Sequence, residues 1–435
     1  IEGQYDGVIL WNGLERVARP EMLVQAARSC VLPGGDLFAC VSNGPSSKGL
    51  APPSSERAHL RAYSSDTFRQ VMGTTRWPYT ITGWQAEAGD LLLTVPTPLA
   101  PQRPKSIAII CPGSPEAWGP HSLGQGIGGS EEAVVRLSRA FARRGHIVTV
   151  YGSGWIGVDN GEWPRESGVS DPHYRSFNLY KPSDIVIGWR YPEIFTNQLQ
   201  PFEGEWRALW LHDSTDKERV KAALPCIDLV WCISMYHASL YKDLDKVYPG
   251  RNGIDAWEFP EASQRNPAKL VYLSTPFRGL DILLEQHWPL IKARVPHAEL
   301  HCYYGWNSAD RMGATSTPEG KAFKEKITQL VQQPGVVWHG RVGQKELYRE
   351  VSEAGVWSYS SSWAEEHCIS SYIAQAAGAW PVVYPRGALP QSVVFGWKVE
   401  APDFVNSVLE AIHTEEGRSK MMEWTRKYTS WDDVA

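Results

Sequence analysis

The chain has 435 residues, a formal net charge of −5 and an isoelectric point near 6.2. That length is more than one hydrophobic core normally serves, so we expect two or three domains. The slightly acidic balance argues against a nucleic-acid partner bound through phosphate contacts. No apolar run approaches the ~20 residues of a membrane-spanning helix, and no secretory signal is visible. We therefore expect a cytoplasmic protein without a transmembrane segment.

Residues 1–99 are predicted to form a first α/β unit. It begins with the strand YDGVIL, a helix over Pro20–Cys30 and the strand in LPGGDLFACV, and a short helix follows over Ser65–Met72. Two more strands are predicted on either side of a turn at Gly89–Asp90, which is a hairpin signal. The proline-rich stretch VPTPLAPQRP, residues 95–104, is the clearest linker in the chain.

Residues 105–260 show a new α/β pattern that starts at the strand KSIAIIC. A long Gly/Ser/Pro-rich loop follows, and Ser130 is predicted to cap a helix whose C-terminal cap is Gly145. Further strands are predicted at HIVTVYG, DIVIGW, ALWLH and LVWCIS. Strands that alternate with helices indicate a parallel, doubly wound sheet.

Residues 265–435 repeat this pattern. The strands KLVYLS, AELHCYYGW and VVWHG alternate with predicted helices over Gly279–Arg294, Lys321–Gln332 and Gln344–Ala354. We therefore predict an α/β fold with two Rossmann-like parallel sheets and a cleft between their C-terminal strand edges, the place where such folds bind ligands.

The segment from Ser358 to Tyr384 is predicted to contain the end of a strand, an acidic loop, a helix over Ile369–Ala377 and a second strand. A strand that leads into a helix places backbone N–H groups at the sheet edge, where anions bind. The pair Glu365 and Glu366 lies in that loop. Carboxylates suit sugar hydroxyls and a helix N-terminus suits phosphate, so a sugar nucleotide would satisfy both. Alternatively, the two glutamates are exposed and only favour the helix dipole.

The glycine-rich loop LGQGIGGSEEA formally contains GxGxxG, but the preceding strand ends about a dozen residues too early for a dinucleotide fingerprint. Gly128 and Gly129 would still let a ligand approach the backbone at a helix N-terminus, unless the loop is only a connection. His212 ends a predicted strand and is either a site residue or structural. Arg278, beside another helix start, can neutralise a diphosphate or is an ordinary surface arginine.

The seven cysteines are scattered, with no CxxC pair, which fits reduced core thiols better than disulfides or a zinc site. No His, Asp and Glu cluster has convincing metal-ligand spacing. Asp243 and Asp245 spell DxD, but they lie in a polar helical stretch that we interpret as a solvated face. We therefore predict no metal site.

Taken together, residues 105–435 resemble a GT-B glycosyltransferase of the retaining, GT4-like group. GIGGSEEAVVRLSRAFARRGH is similar to the glycine loop and first helix of that family, and RNGID at Arg251–Asp255 resembles its NGID signature. RGLDILL resembles the KGxxxL element that binds the donor diphosphate, with Arg278 in the lysine position. The segment around Glu365, with AAGAWPVV as its tail, resembles the E-x7-E region.

The resemblance implies roles for individual residues. Glu365 would contact hydroxyls of the donor sugar, and His212 would lie near the transferred sugar. The residues implied around the donor are Gly128, Gly129, Arg278, Gly279, Gly340, Arg341, His367, Cys368 and Ile369. Two positions depart from the family pattern: the second glutamate of E-x7-E, which holds the ribose, falls on Ile373, and an arginine five residues before the KG element falls on Leu273. We therefore expect weaker or altered donor binding, or loss of activity.

The resemblance further implies metal-independent transfer of a sugar from a UDP- or GDP-sugar to a glycan, a lipid-linked or another acceptor, with retention of configuration and no tightly bound cofactor. A non-catalytic sugar- or nucleotide-binding module beside a methyltransferase is the alternative, and a nucleotide-dependent oxidoreductase is a weaker one. Residues 1–99 resemble the C-terminal half of a class I SAM-dependent methyltransferase. The glycine-rich SAM loop belongs to the other half, so SAM binding is not expected. The sequence does not indicate the oligomeric state.

Overall fold

The computed structural model describes residues 104–435 apart from residues 115, 153–161, 164–170, 198–200 and 261–263, together with four strands before residue 104. The chain divides into two compact units, residues 1–103 and residues 104–435. The predicted helices Pro20–Cys30 and Ser65–Met72 lie outside the described residues.

The first unit contains four described strands: β1 (Tyr5–Trp11), β2 (Val31–Cys40), β3 (Thr80–Ala86) and β4 (Gly89–Val95). Their order in the sheet is β1-β2-β4-β3. The predicted hairpin is present, because β3 and β4 pair in antiparallel fashion. Its turn was predicted too late in the chain, since Gly89 and Asp90 already pair with Ala86 and Gln85.

In the second unit, the first half (residues 104–260) forms an eight-stranded sheet. Its strands are β5 (Ser106–Cys111), β6 (Ile147–Gly152), β7 (Glu162–Trp163), β8 (His173–Ser176), β9 (Ser183–Trp189), β10 (Gly204–Trp210), β11 (Leu229–Cys232) and β12 (Val247–Pro249). The order is β12-β11-β10-β9-β5-β6-β8-β7, and only β7 pairs in antiparallel fashion. The helices described in this half are Gly129–Arg143, Glu193–Thr196, Lys217–Ala223 and Met235–Ser239.

The helix Gly129–Arg143 buries Val134 and Leu137 in the core of this half, as the apolar spacing predicts. The predicted cap Ser130 is wrong: it lies inside the helix, and Gly128 is the N-cap. The reason is that the Gly128 carbonyl already accepts the first helical hydrogen bond, from Glu132 at 2.8 Å.

The second half (residues 264–435) forms a six-stranded, all-parallel sheet. Its strands are β13 (Asn266–Tyr272), β14 (Glu299–Tyr303), β15 (Val336–Gly340), β16 (Ala354–Tyr359), β17 (Trp380–Val383) and β18 (Trp397–Lys398). The order β15-β14-β13-β16-β17-β18 reverses direction between β13 and β16. Such a reversal is the point at which open α/β sheets bind ligands.

Helices alternate with the strands of the second half. They are Leu280–Ile282, the π-helical turn Leu283–His287, Trp288–Arg294, Asn307–Arg311, Pro318–Leu330, Gln344–Ser352, Ile369–Ala377, Leu389–Ser392, Ala401–His413, Arg418–Tyr428 and Trp431–Val434. The single helix predicted over Gly279–Arg294 is interrupted by the π-turn. Pro289, which has no N–H to donate, accounts for this interruption. Among the residues that the structure describes, no helix is long and apolar enough to cross a bilayer.

The end of the chain returns to the first half. Trp431 is buried in the core of that half, and the helix Trp431–Val434 packs against Gly129–Arg143. Ile254, in the segment that connects the halves, pairs with Ser430. These contacts place both connections between the halves at one side of the cleft.

Candidate active site

The reversal point of the second sheet brings together two predicted site residues. Arg278 follows β13 and Glu365 follows β16, and the Arg278 Nη1 donates to Glu365 Oε2 at 2.7 Å. Gly279 makes this approach possible, because it has φ of +85° and an added Cβ would lie 2.7 Å from the Ser360 carbonyl oxygen. The two motifs, 87 residues apart in sequence, therefore form one constellation.

Glu365 is almost completely buried, and its other carboxylate oxygen accepts a hydrogen bond from the Tyr359 hydroxyl. Burial raises the pKa of Glu365, while the Arg278 guanidinium opposes that shift. Burial alone would lower the pKa of Arg278, but the Glu365 carboxylate and the neighbouring acidic groups together raise it, so Arg278 stays charged. The Arg278 guanidinium also lies over the half-exposed indole of Trp363, 5.4 Å from the ring centroid. The pair thus combines a cation and a fixed carboxylate at the sheet edge.

Glu366 points to the first half instead. Its carboxylate accepts a hydrogen bond from the Ser214 hydroxyl at 2.7 Å, and its carbonyl oxygen accepts one from the Ser234 hydroxyl. Both glutamates are buried, which contradicts the alternative that they are exposed residues at a helix start. The Glu365 carboxylate therefore binds Arg278 of the second half, whereas the Glu366 carboxylate binds Ser214 of the first half.

Two helix N-termini meet at the cleft. The helix Ile369–Ala377 has the bounds that the sequence predicts, and its N-cap is Cys368, with a left-handed φ of 64°. An added Cβ on Gly129, the first residue of the facing helix, would lie 3.3 Å from Cγ2 of Ile369. The predicted residues Gly128, Gly129, Cys368 and Ile369 are therefore adjacent, as the cleft hypothesis requires.

The two predicted histidines are buried near the same loop. His212 Nε2 and both ring nitrogens of His367 have no hydrogen-bond partner among the described residues. Burial lowers the pKa of His212 well below its usual range and lowers the pKa of His367 to about 3. The ring of His212 lies between Trp189 and Trp210, with centroid distances of 6.2 and 4.3 Å. Both imidazoles are therefore neutral at physiological pH.

Gly340 and Arg341 lie at the end of β15, on the same side of the cleft. Gly340 has φ of +70°. Arg341 Nη1 donates to Glu116 Oε1 of the first half at 2.5 Å, and its Nη2 donates to the Ser308 hydroxyl at 2.8 Å. Glycine is required at position 126, where an added Cβ would lie 2.3 Å from Cγ of Arg341. The glycine loop of the first half thus lies directly on Arg341.

The two positions that depart from the family pattern, Leu273 and Ile373, line one small cavity of about 70 Å³. Arg341, Glu132 and Gln344 contribute the polar part of its wall. The Glu132 carboxylate accepts hydrogen bonds from Gln344 and from the Tyr348 hydroxyl of the second half, and it pairs with Arg136. Leu273 and Ile373 therefore face the cleft, and polar contacts between the two halves close the cleft at this point.

Several of these residues were missed in the sequence. Each of them makes at least one hydrogen bond to a residue between 122 and 225 positions away in the sequence, so no local motif marks them. They are Glu116, Glu132, Arg136, Ser214, Ser234, Ser308 and Gln344. The one local signal is the acidic first turn of the helix Gly129–Arg143, which contains Glu132.

One group of potential metal ligands, which the sequence did not indicate, lies on neighbouring elements of the second half. His301, His339 and Glu350 place one ligand atom each within 4.8 Å of one another. His301 Nδ1 and His339 Nε2 are 2.9 Å apart, and Glu350 accepts hydrogen bonds from Lys269 at 2.7 Å and from Tyr303 at 3.0 Å. Each group therefore has a protein partner, and an ion would have to displace Lys269.

The exposed Asp243 pairs with Lys217 at 3.0 Å, in keeping with a solvated face.

Two Rossmann-like α/β halves that face each other across a cleft define the GT-B architecture, and residues 104–435 have it. Solved glycosyltransferase structures are similar to this chain. Sucrose-phosphate synthase from Thermosynechococcus elongatus is 16% identical with a TM-score of 0.58, and the match covers 76% of this chain and 96% of that one. HepE from Anabaena, solved with UDP and glucose, is 12% identical with a TM-score of 0.53 and coverages of 76% and 97%. AviGT4, involved in avilamycin A biosynthesis, is 14% identical with a TM-score of 0.52 and coverages of 76% and 95%.

The sequence itself matches no protein-family model and no curated protein. At identities of 12 to 16%, the structural similarity establishes the fold, and the residues of the cleft carry the argument for function.

Proposed function

We propose that residues 104–435 transfer a sugar from a nucleotide-sugar donor, a UDP- or GDP-sugar, to an acceptor hydroxyl, with retention of configuration and without a metal ion. The observation that carries this proposal is the Arg278–Glu365 pair at the reversal point of the second sheet. A guanidinium matches diphosphate oxygens, and a buried carboxylate accepts hydrogen bonds from sugar hydroxyls.

In the proposed reaction, the bond between the sugar C1 and the diphosphate oxygen breaks, and a bond from C1 to the acceptor oxygen forms. The acceptor proton goes to the departing diphosphate. The chain supplies electrostatic stabilisation of that leaving group through Arg278 and the helix N-termini at Gly129 and Ile369. Glu365 and the neutral His212 position the sugar.

The proposal predicts the stereochemistry of the product. Proton NMR of the first product should show the anomeric configuration of the donor, and EDTA should leave the rate unchanged. A product of inverted configuration, or a rate restored only by a divalent ion, would contradict the corresponding part of the proposal. Glu365→Gln should abolish turnover, whereas the exposed Glu416→Gln is the matched control.

A non-catalytic sugar- or nucleotide-binding module is the second candidate, and Leu273 and Ile373 in the cleft wall favour it. An isoleucine cannot accept hydrogen bonds from a ribose, and a leucine cannot neutralise phosphate. Calorimetry that detects binding of a sugar nucleotide, with no nucleotide release in the presence of acceptors, would support this candidate against the first.

For residues 1–99 we propose a methyltransferase-like unit that does not bind SAM. Calorimetric titration of the full chain with SAM should give no binding heat. Saturable binding would show that the unit, or the rest of the chain, completes a SAM site.

A further inference from the structure

Three donor groups of the second half converge on one carboxylate of the first half. Glu116 accepts hydrogen bonds from Arg341 Nη1 at 2.5 Å and from the Ser308 hydroxyl at 3.3 Å, and Arg311 Nε lies 3.6 Å from its other oxygen. The side chains of Glu116 and Arg341 are only 10% and 9% exposed. These groups form a preorganised anion-binding site, and the Glu116 carboxylate occupies it.

The site has more positive charge and more donors than Glu116 uses. Two arginines face one carboxylate, and Arg341 Nε is buried with no partner in the described part of the chain. Arg341 is held in place by Ser308 at 2.8 Å and lies 5.1 Å from the ring centroid of Tyr304, which has a left-handed φ of 91°. A backbone conformation of that kind is costly for a large side chain and is concentrated at ligand sites.

The same arginine lines the small cavity between the halves. That cavity measures about 70 Å³, whereas sites for small ligands typically measure about 300 to 1,000 Å³. A nucleotide would therefore fit this cavity only if the halves separate. The Glu116–Arg341 ion pair is one of the contacts that would have to break. Leu273, which supplies no cation, lies in the same wall, so Arg341 is the cation that this wall offers to an incoming phosphate.

We infer that Glu116 is an internal competitor for the phosphate groups of the donor: it occupies Arg341, Arg311 and Ser308 in the closed state, and the donor diphosphate displaces it when the cleft opens. The inference rests on the proposed function. Only the molecules in which Glu116 has left the site can bind the donor diphosphate. The smaller that fraction is, the higher the apparent dissociation constant becomes. Removal of an acidic residue from the cleft should therefore strengthen nucleotide binding, beyond the small gain expected from a distant change in charge.

The test is calorimetric titration of the full chain with UDP, GDP, uridine and inorganic pyrophosphate. Glu116→Gln should lower the dissociation constant for the nucleoside diphosphate that binds by about tenfold, and Glu116→Asp, which keeps the charge on a shorter stem, by less. Uridine, which has no phosphate, should gain less than the diphosphate, and Glu416→Gln should change neither. In an Arg341→Gln background, Glu116→Gln should have a smaller effect, because only Arg311 and Ser308 are then released.

Weaker or unchanged diphosphate binding by a folded Glu116→Gln variant would overturn the inference, and thermal unfolding verifies that the variant is folded. If no nucleotide binds to any variant, the proposed function is contradicted, and pyrophosphate then decides the inference alone. Pyrophosphate binding that Glu116→Gln strengthens would support the anion site. Pyrophosphate binding that is absent or insensitive to Glu116 would overturn it.

Discussion

The guanidinium of Arg278 donates a hydrogen bond of 2.7 Å to the buried carboxylate of Glu365, across the point where the strand order of the second sheet reverses. The arginine follows one strand and the glutamate follows its neighbour, so the sheet itself aligns them. The account of function depends on this pair, because it places a cation and a hydroxyl acceptor where α/β sheets bind ligands.

Substitution of Gly279 should show how far the backbone determines this pair. Gly279→Ala forces an alanine into a left-handed conformation and drives its Cβ to 2.7 Å from the Ser360 carbonyl oxygen. We expect a loss of about 1 to 3 kcal/mol in the free energy of unfolding and weaker nucleotide binding. Gly113→Ala is the matched control, because an added Cβ there meets no atom within 4 Å. Chemical denaturation measures both, and equal stabilities would contradict the steric argument.

The buried Arg136 should be essential for stability. It lies in the helix Gly129–Arg143 and pairs with Glu132 of the same helix and with Asp255 and Glu258 in the connection to the second half. Arg136→Met leaves Glu132 and Glu258 without this cation and Asp255 with Arg143 alone, which should cost about 3 to 5 kcal/mol of unfolding free energy. The exposed Arg294→Met should change it by less than about 0.5 kcal/mol. Urea denaturation measures both changes. An Arg136→Met variant as stable as the wild type would show that the ion pairs of Arg136 do not stabilise the fold.

His367 should make stability depend on pH. Burial lowers its pKa to about 3, whereas the unfolded chain titrates near 6.5. Between those values the unfolded state binds one more proton, so stability falls as pH decreases, by about 1.4 kcal/mol per unit. Above pH 6.5 His367 is neutral in both states, so this dependence of stability on pH disappears.

His367→Phe removes the titrating group and two ring nitrogens that have no partner among the described residues. Relative to this variant, the wild type should lose about 2 kcal/mol of unfolding free energy between pH 7.5 and pH 5. Denaturation at the two pH values provides the measurement. A difference between the proteins that does not change with pH would mean that His367 titrates in the folded protein with the same pKa as in the unfolded chain.

The sequence predicts the sheets well because strand and helix periodicity is local. The helix Ile369–Ala377 has its predicted bounds, with Gly378 ending it in a left-handed conformation. The cap at Ser130 was misjudged because a backbone carbonyl, and not a hydroxyl, starts that helix. The π-turn at Leu283–His287 was missed, because one uninterrupted helix was predicted over Gly279–Arg294.

Some residues of the candidate site could be predicted from local sequence motifs, and others could not. Arg278 and Glu365 are visible as motifs, because each stands at a strand–helix junction. Glu116 and Arg341 are 225 residues apart and belong to different halves, so only the folded chain shows that they meet. The burial of Glu366 was also unpredictable, since its partners Ser214 and Ser234 are 152 and 132 residues away in the sequence.

Nucleotide release from a panel of UDP- and GDP-sugars tests the central claim most directly. The wild type should release nucleotide from at least one donor. Arg278→Gln should reduce kcat/KM for that donor by about 10²- to 10³-fold, because it removes a charge that stabilises the leaving group. The exposed Arg294→Gln should leave kcat/KM unchanged. Equal release by the wild type and Arg278→Gln, or no release from any donor, would contradict the claim that this pair is the catalytic centre of a glycosyltransferase.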